Sequence, residues 1–178
     1  MEYVALAGRC VIGSVFLIAA VGKLRDRSSR DGFHSAVSAV VPGVRFARLG
    51  LVVLAVEFTV AILVVPAATA GWGLGMAAGT LLAFSVALWS VLRRGVPVSC
   101  HCFGRSAMPV SRAHVLRNTV LLAIAVAGSI AHADAADVAL HPGGAVIAVT
   151  GALVVIIGVL FTDDLASLFA PTSRSSRI

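Results

Sequence analysis

Residues 73–92 read GLGMAAGTLLAFSVALWSVL, a run of twenty residues without a charged side chain. An α-helix of this length rises about 30 Å, which matches the thickness of the hydrocarbon core of a bilayer. Arg93 and Arg94 follow the run directly. Basic residues at the end of an apolar run are typical of a transmembrane helix that reaches the membrane surface. This stretch therefore predicts a membrane protein.

Four further apolar runs support that interpretation. The chain has 178 residues, of which 59% are hydrophobic and 12% charged, whereas a soluble domain carries about 25% charged residues. This composition excludes an ordinary soluble globular protein. Lipid permits no open sheet edge, so the predicted fold class is all-α, a polytopic transmembrane helical bundle of five spans with a compact four-helix core. The predicted spans are 4–22, 49–65, 73–92, 115–131 and 145–161.

One domain over residues 1–171 accounts for all five spans. The first span is expected to be retained, because it is longer than the apolar part of a signal peptide and only the acidic Glu2 precedes it. Residues 172–178 are rich in Ser and Arg, and we expect them to form a disordered tail.

The basic residues are unevenly distributed, and this asymmetry predicts the topology. Of the 14 Lys and Arg residues, six lie in 23–48, five in 93–117 and two in the tail, while 66–72 and 132–144 contain none. Short basic loops stay on the cytoplasmic side. We therefore expect a multi-pass protein of the cell membrane, with an outside N-terminus and a cytoplasmic C-terminus. Because topology explains the basic residues, membrane lipid is the expected surrounding and nucleic acid is not a predicted partner.

The residues with redox chemistry lie in the sequence VSCHCFGR at 98–105. Cys100 and Cys102 are separated by one residue, with Arg94 and Arg105 nearby in the chain. Nearby cations stabilise a thiolate, and a disulfide closed across a single residue is strained and readily reduced. The pair can therefore carry electrons by thiol–disulfide exchange.

Two alternatives to redox chemistry remain open at this point. Cys100, His101 and Cys102 together could bind a soft metal such as Cu(I) or Zn(II). A structural zinc site normally needs a fourth ligand and a spacer of about two to four residues between its cysteines, and the nearest additional candidates are His114 and His34. In the other alternative, the two cysteines are loop residues without a chemical role.

Several short motifs together resemble one family. The sequence CHCFG at 100–104, a basic loop after it, and LRN at 116–118 at the start of an apolar run are similar to the methylamine-utilisation protein MauE family, within the DoxX-like group of small membrane proteins. The resemblance covers roughly residues 5–125. Its first half is carried by Arg9, Gly13, Phe16, the AVGKL sequence at 20–24, Phe33, Pro42 and Glu57.

The resemblance implies a DoxX-like four-helix core and a link to thiol redox chemistry. It also implies a role in maturing the disulfide-rich small subunit of methylamine dehydrogenase, with that subunit or a thioredoxin-like protein as the partner. Such an exported partner requires a cysteine loop that faces outward, whereas the charge distribution places the loop on the cytoplasmic side. His101 stands where the family pattern favours a small residue.

Two charged residues lie inside predicted spans, Arg9 in the first and Glu57 in the second. Charged side chains in a bilayer are costly and usually face a partner or a cavity. Counted from Lys23 and Arg48, Arg9 lies about 21 Å deep and Glu57 about 14 Å, a gap that an arginine side chain largely closes. We therefore predict an Arg9–Glu57 ion pair that docks the first two helices. In the alternative, these residues form a polar wall for a quinone or a proton path.

Arg117 and Asn118 begin the span that follows the cysteine loop. Arg117 can stabilise a thiolate or hold loop carbonyl groups, or it can anchor the helix at the interface by snorkelling. Asn118 can cap or cross-link backbone groups. The resemblance favours a functional role for both. Cys10, about 20 Å along the helix from Lys23, is expected to be a packing residue remote from the cysteine loop.

The leading hypothesis is a membrane thiol–disulfide redox protein with Cys100, Cys102, Arg117 and Asn118 as its catalytic residues. Whether the chain is an enzyme in its own right stays open. The rival hypotheses are a non-catalytic membrane scaffold or assembly factor and a soft-metal handler. No cofactor is assigned, although a quinone would suit the polar wall described above.

Overall fold

The computed structural model describes residues 1–25, 46–94, 112–134 and 141–169, and these ranges form five α-helices. They are α1 (Glu2–Arg25), α2 (Phe46–Leu63), α3 (Ala67–Arg94), α4 (Arg112–Ala133) and α5 (Pro142–Phe169). Each predicted span coincides with one helix, although the second helix ends two residues earlier than predicted. The predicted all-α fold class is confirmed. The cysteine loop and the predicted tail lie outside the described residues.

The helices differ in whether they can cross a bilayer. In α1, α3, α4 and α5, the described part is long and apolar enough to span the membrane. The apolar part of α2, Gly50–Leu63, is shorter. The whole of α2 has 18 residues and rises about 27 Å, slightly less than the hydrocarbon thickness. The second predicted span is therefore the short member of the bundle.

Helix α1 lies at the centre of the bundle and contacts the four other helices. Helix α4 packs against α1 and α3, α2 packs beside α1 and α3, and α5 packs mainly on α1. The centre is filled by aliphatic side chains and Phe16, as expected for helices that pack closely in lipid. The largest fully buried side chains are Ile12, Leu74, Leu121, Val15, Val60 and Val64.

Contacts between the helices define two ends of the bundle. At one end Tyr3 lies against Gly144 and its hydroxyl accepts a hydrogen bond from the backbone N–H of His141, and Gly71 lies beside His132. We call this the tyrosine end. The opposite end, where α1 ends at Arg25, α3 ends at Arg94 and α4 begins at Arg112, is the arginine end.

The segments that lie at each end of the bundle are those that the charge distribution predicts to share one side of the membrane. The N-terminus, the α2–α3 turn, the end of α4 and the beginning of α5 belong to the tyrosine end, and the sequence has no Lys or Arg in 66–72 or 132–144. The described helix termini at the arginine end carry basic residues. This relative placement agrees with the predicted topology, while the assignment of the arginine end to the cytoplasm stays a prediction from charge.

The outer surface of the bundle is apolar, as a lipid-facing surface must be. Large hydrophobic side chains are exposed on every helix, including Leu51, Val86 and Ile147. Trp72 and Trp89 are exposed at the two ends of α3, and Arg93 lies over the Trp89 ring at 5.1 Å from its centroid. The two tryptophans are 17 residues apart, or about 26 Å, the separation expected for residues at the two membrane interfaces.

Candidate functional site

A buried ion pair joins α1 to α2. The Lys23 ammonium group donates a hydrogen bond to Glu57 Oε1. Lys23 is 8% exposed and Glu57 7%, so both charges lie inside the bundle. Glu57 Oε2 is also buried, and it has no hydrogen-bond partner among the described residues. An acceptor without a donor is costly in an apolar interior.

Arg9 binds a different part of α2. Its Nε donates a hydrogen bond of 2.8 Å to the carbonyl oxygen of Val64, and its Nη2 donates to that of Val65. Both carbonyl groups lie just beyond the last turn of α2, where backbone acceptors lose their helical partners and carry partial negative charge. Arg9 therefore caps the end of α2.

The predicted Arg9–Glu57 pair is therefore wrong, because each residue has another partner. In the sequence analysis, Lys23 marked the membrane boundary and belonged to the AVGKL motif of the resemblance, but its flexible side chain reaches inward to Glu57. The end of α2 lies beside α1 near Gly13, where a Cβ would be 2.8 Å from Val64 Cγ2. This placement brings the free carbonyl groups of α2 within reach of Arg9.

Asn118 joins α4 to α3. Its Nδ2 donates hydrogen bonds of 2.9 Å to the backbone carbonyl of Leu81 and to Ser85 Oγ. The Ser85 hydroxyl in turn donates to the Leu81 carbonyl, as serine often does within a helix. The cross-link to the backbone that the sequence suggested for Asn118 is present in the structure.

Arg117 and His114 precede Asn118 on α4, and both are buried, at 5% and 6% exposure. This burial does not fit a side chain that snorkels to the interface, which would remain solvated. From the sequence, His114 was a candidate only as a spare metal ligand. Lys23 was not a candidate site residue. Its position at the end of the first span, next in the chain to the span that contains the charged Glu57, was available in the sequence as a signal.

These polar groups, of which all but the half-buried Ser85 are buried, lie at one level of the bundle. Helices α2 and α3 run in opposite directions, with Val64 against Gly73, so Glu57 lies opposite a position near Thr80. That position is next to Leu81, which binds Asn118. We define the polar layer as Lys23, Glu57, Ser85, His114, Arg117 and Asn118. It lies within the half of the bundle that leads to the arginine end.

The cysteines fall in two different situations. Cys10 is a free thiol, half-buried on α1, and packs against the hydrophobic core, as expected for a packing residue. Cys100, His101 and Cys102 lie outside the described residues, in the segment 95–111 between α3 and α4. Among the described residues, no group of three His, Cys, Asp or Glu side chains is placed to hold a metal ion.

An apolar groove of about 300 Å³ lies between α1, α4 and α5. Its lining includes Gly8, Val11, Ala127 and Gly151, and its described lining residues are all apolar. It offers no side-chain hydrogen bond for the ring oxygens of a quinone. The groove and the polar layer are therefore chemically different regions.

The five helices, the apolar exterior and the buried polar layer define an all-α, multi-pass membrane protein. A family model described as methylamine utilisation protein MauE matches residues 1–131. The chain therefore belongs to the MauE family.

A curated relative, the methylamine utilization protein MauE of Paracoccus denitrificans, is 37% identical in an alignment of 129 residues. That alignment covers 67% of this chain and 64% of the relative, so the chain spans slightly less than two thirds of the relative's length. No solved structure matches the chain. The family match includes α1 to α4, apart from the last residues of α4, and therefore contains the whole polar layer.

Proposed function

We propose that this chain is a membrane thiol–disulfide exchange protein associated with methylamine utilisation, with Cys100 and Cys102 as its reacting pair. The supporting observation is the buried polar layer, which contains the side chains of Lys23 and Arg117. The segment that carries the cysteines begins after Arg94 and ends before Arg112, both at the arginine end. Positive charge in an apolar environment attracts a thiolate more strongly than it does in water.

The proposed reaction is an exchange between two dithiol/disulfide pairs. A thiolate of the Cys100/Cys102 pair attacks a disulfide of a thioredoxin-fold partner and forms a mixed disulfide. The second thiolate then attacks the mixed disulfide and releases the partner as a dithiol. Two electrons and two protons pass to the partner, and Cys100 and Cys102 become a disulfide. The same steps in reverse oxidise a partner dithiol, such as one in the amine dehydrogenase small subunit.

Arg117 and Asn118 have distinct parts in this proposal. Asn118 fixes the start of α4 to α3 through Leu81 and Ser85, so it is a positioning residue for the cysteine segment. Arg117 supplies the positive charge that favours the thiolate. Neither role requires a bound metal or cofactor.

Trapping the mixed disulfide tests the proposal. The Cys100→Ser and Cys102→Ser variants are each incubated in membranes with a thioredoxin-fold partner whose single remaining active-site cysteine is held as a mixed disulfide with nitrothiobenzoate, so that attack by the remaining thiolate releases nitrothiobenzoate and forms the covalent complex. We expect one of the two variants to form a covalent complex that dithiothreitol separates by reducing the mixed disulfide. Both variants should lose exchange activity. Cys10→Ser is the matched control, because Cys10 is packed against the core, and it should retain full activity.

Other outcomes would point to the rival functions. If both variants keep their activity and neither forms a complex, the redox proposal is wrong and a scaffold role is favoured. If His101→Ala is as damaging as the loss of a cysteine, and if the purified protein retains Cu(I) or Zn(II), soft-metal handling through Cys100, His101 and Cys102 replaces it.

A further inference from the structure

Glu57 is the most unusual polar residue of the described bundle. One carboxylate oxygen binds Lys23, while the other is buried without a hydrogen-bond donor among the described residues. A buried ion pair stabilises a fold only if its remaining acceptors are also satisfied. In a bilayer, water is not freely available to satisfy them. Ionisable residues in such positions are characteristic of proton pathways.

A proton is the simplest group that removes the cost of the unpartnered oxygen. When Oε2 carries a proton, the carboxyl group is neutral and still accepts a hydrogen bond from Lys23 through Oε1. When the proton leaves, Lys23 is the ion-pair partner that balances the negative charge among the described residues. Both states are therefore chemically accessible, and the local charge decides between them.

In the part of the chain that the structure describes, few residues place a charge around Glu57. Helix α2 packs on α1 and α3. At this level α1 contributes Lys23, while α3 carries no charged side chain between residues 67 and 92, so its facing part near Thr80 is neutral. Arg117 and His114 lie on α4, beyond α3 and α1. A new negative charge at the arginine end would therefore act on Glu57 through an interior of low dielectric constant.

We infer that Glu57 is a proton-binding residue coupled to the cysteine pair, and that it takes up a proton when the pair is reduced and releases it when the pair is oxidised. This inference rests on the function proposed above. Reduction of the Cys100–Cys102 disulfide by two electrons with uptake of one proton leaves one thiol and one thiolate. The thiolate charge then favours a second proton on Glu57 Oε2. The two electrons come from the partner dithiol, which becomes a disulfide and supplies both protons.

The midpoint potential of the cysteine pair, measured against pH in the full-length protein, tests this coupling. For a two-electron couple, each linked proton contributes about 30 mV per pH unit. We expect the wild-type potential to fall with rising pH more steeply than that of Glu57→Gln, by up to about 30 mV per pH unit where Glu57 titrates. The same slopes in both proteins would overturn the inference.

Controls keep this result separate from misfolding and from the proposed function. Glu57→Gln leaves Lys23 buried without its counter-ion, so the double variant Lys23→Gln/Glu57→Gln provides a neutral pair and should show the same shallow slope. Glu2→Gln removes a carboxylate at the tyrosine end and should keep the wild-type slope. If the cysteine pair has no measurable potential in any variant, the proposed function fails. If the potential is measurable but its slope does not depend on Glu57, only the inference fails.

Discussion

Arg9 is held in the bundle without a carboxylate partner among the described residues. It caps Val64 and Val65, whose carbonyl groups would otherwise be left without donors at the end of a helix inside an apolar bundle. The guanidinium has five donors in a planar arrangement, so it can bind two adjacent carbonyl groups at once. The sequence predicted that Arg9 would be balanced by an ion pair. In the structure, hydrogen bonds to the carbonyl groups at the end of a helix hold it instead.

Substitution of Asn118 measures how much one interhelical link contributes to the free energy of unfolding. We expect Asn118→Leu to lower the free energy of unfolding in mixed micelles by about 1–2 kcal/mol, because two interhelical hydrogen bonds are lost while the volume is nearly kept. Thr119→Val is the matched control, since Thr119 is exposed and its hydroxyl donates to the Val115 carbonyl within its own helix. Equal losses in the two variants would contradict an interhelical role for Asn118.

The candidate site was predictable in part of its residues, but not in its pairs. Arg9, Glu57, Arg117 and Asn118 stand out in the sequence because polar groups inside apolar runs are costly and need partners. Which partners they find depends on the vertical offset between neighbouring helices, and composition does not determine that offset. The pairing of Lys23 with Glu57 follows from this offset.

The crossing of α2 and α3 depends on Gly73. A Cβ there would lie 2.8 Å from Val64 Cγ1 and 2.9 Å from the Val64 backbone nitrogen. The neighbouring atom is backbone, so it cannot rotate away. We expect Gly73→Ala to cost about 1–3 kcal/mol of stability, the range of an overpacked core.

Gly75 provides the matched control for this substitution. It lies on the same helix, and no atom lies within 4 Å of a Cβ placed there. We therefore expect Gly75→Ala to be neutral or to stabilise the protein by up to about 1 kcal/mol, because glycine is a poor helix former. Thermal unfolding of both variants in detergent provides the comparison. If the Gly73→Ala variant is as stable as the Gly75→Ala variant, the close contact between Gly73 and Val64 is contradicted.

The helices themselves were predictable because bilayer thickness limits their length. Runs of about 17 to 20 apolar residues must cross or nearly cross the hydrocarbon core, so their positions follow from hydropathy alone. The early end of α2 was not predictable in this way, since Val64, Val65 and the residues before them are equally apolar. Pro66 contributes to that end, because proline disfavours helical geometry at the residue before it.

At the scale of the whole molecule, the two ends differ in chemistry. The tyrosine end holds the N-terminus and the α2–α3 turn, whereas the arginine end holds basic helix termini and leads to the polar layer. A short basic loop is hard to translocate, so charge predicts a cytoplasmic arginine end. A function in maturing an exported partner would instead require the cysteine segment to face outward. The two predictions differ in a property that can be measured in intact cells.

Labelling with a membrane-impermeant maleimide decides between them. The Cys10→Ser/Cys102→Ser variant leaves Cys100 as the single thiol and reports on the connection between α3 and α4. Adding Ala68→Cys to a variant without native cysteines reports on the tyrosine end, where Ala68 is exposed next to the α2–α3 turn.

We expect the thiol introduced by Ala68→Cys to react in intact cells, and Cys100 to react only after the membrane is opened. The reverse pattern would overturn the topology derived from charge and favour an exported partner, while the exchange chemistry of the cysteine pair would still stand. If Cys100 of the reduced and solubilised protein does not react while the thiol introduced by Ala68→Cys does, Cys100 is inaccessible, which would contradict its role in exchange.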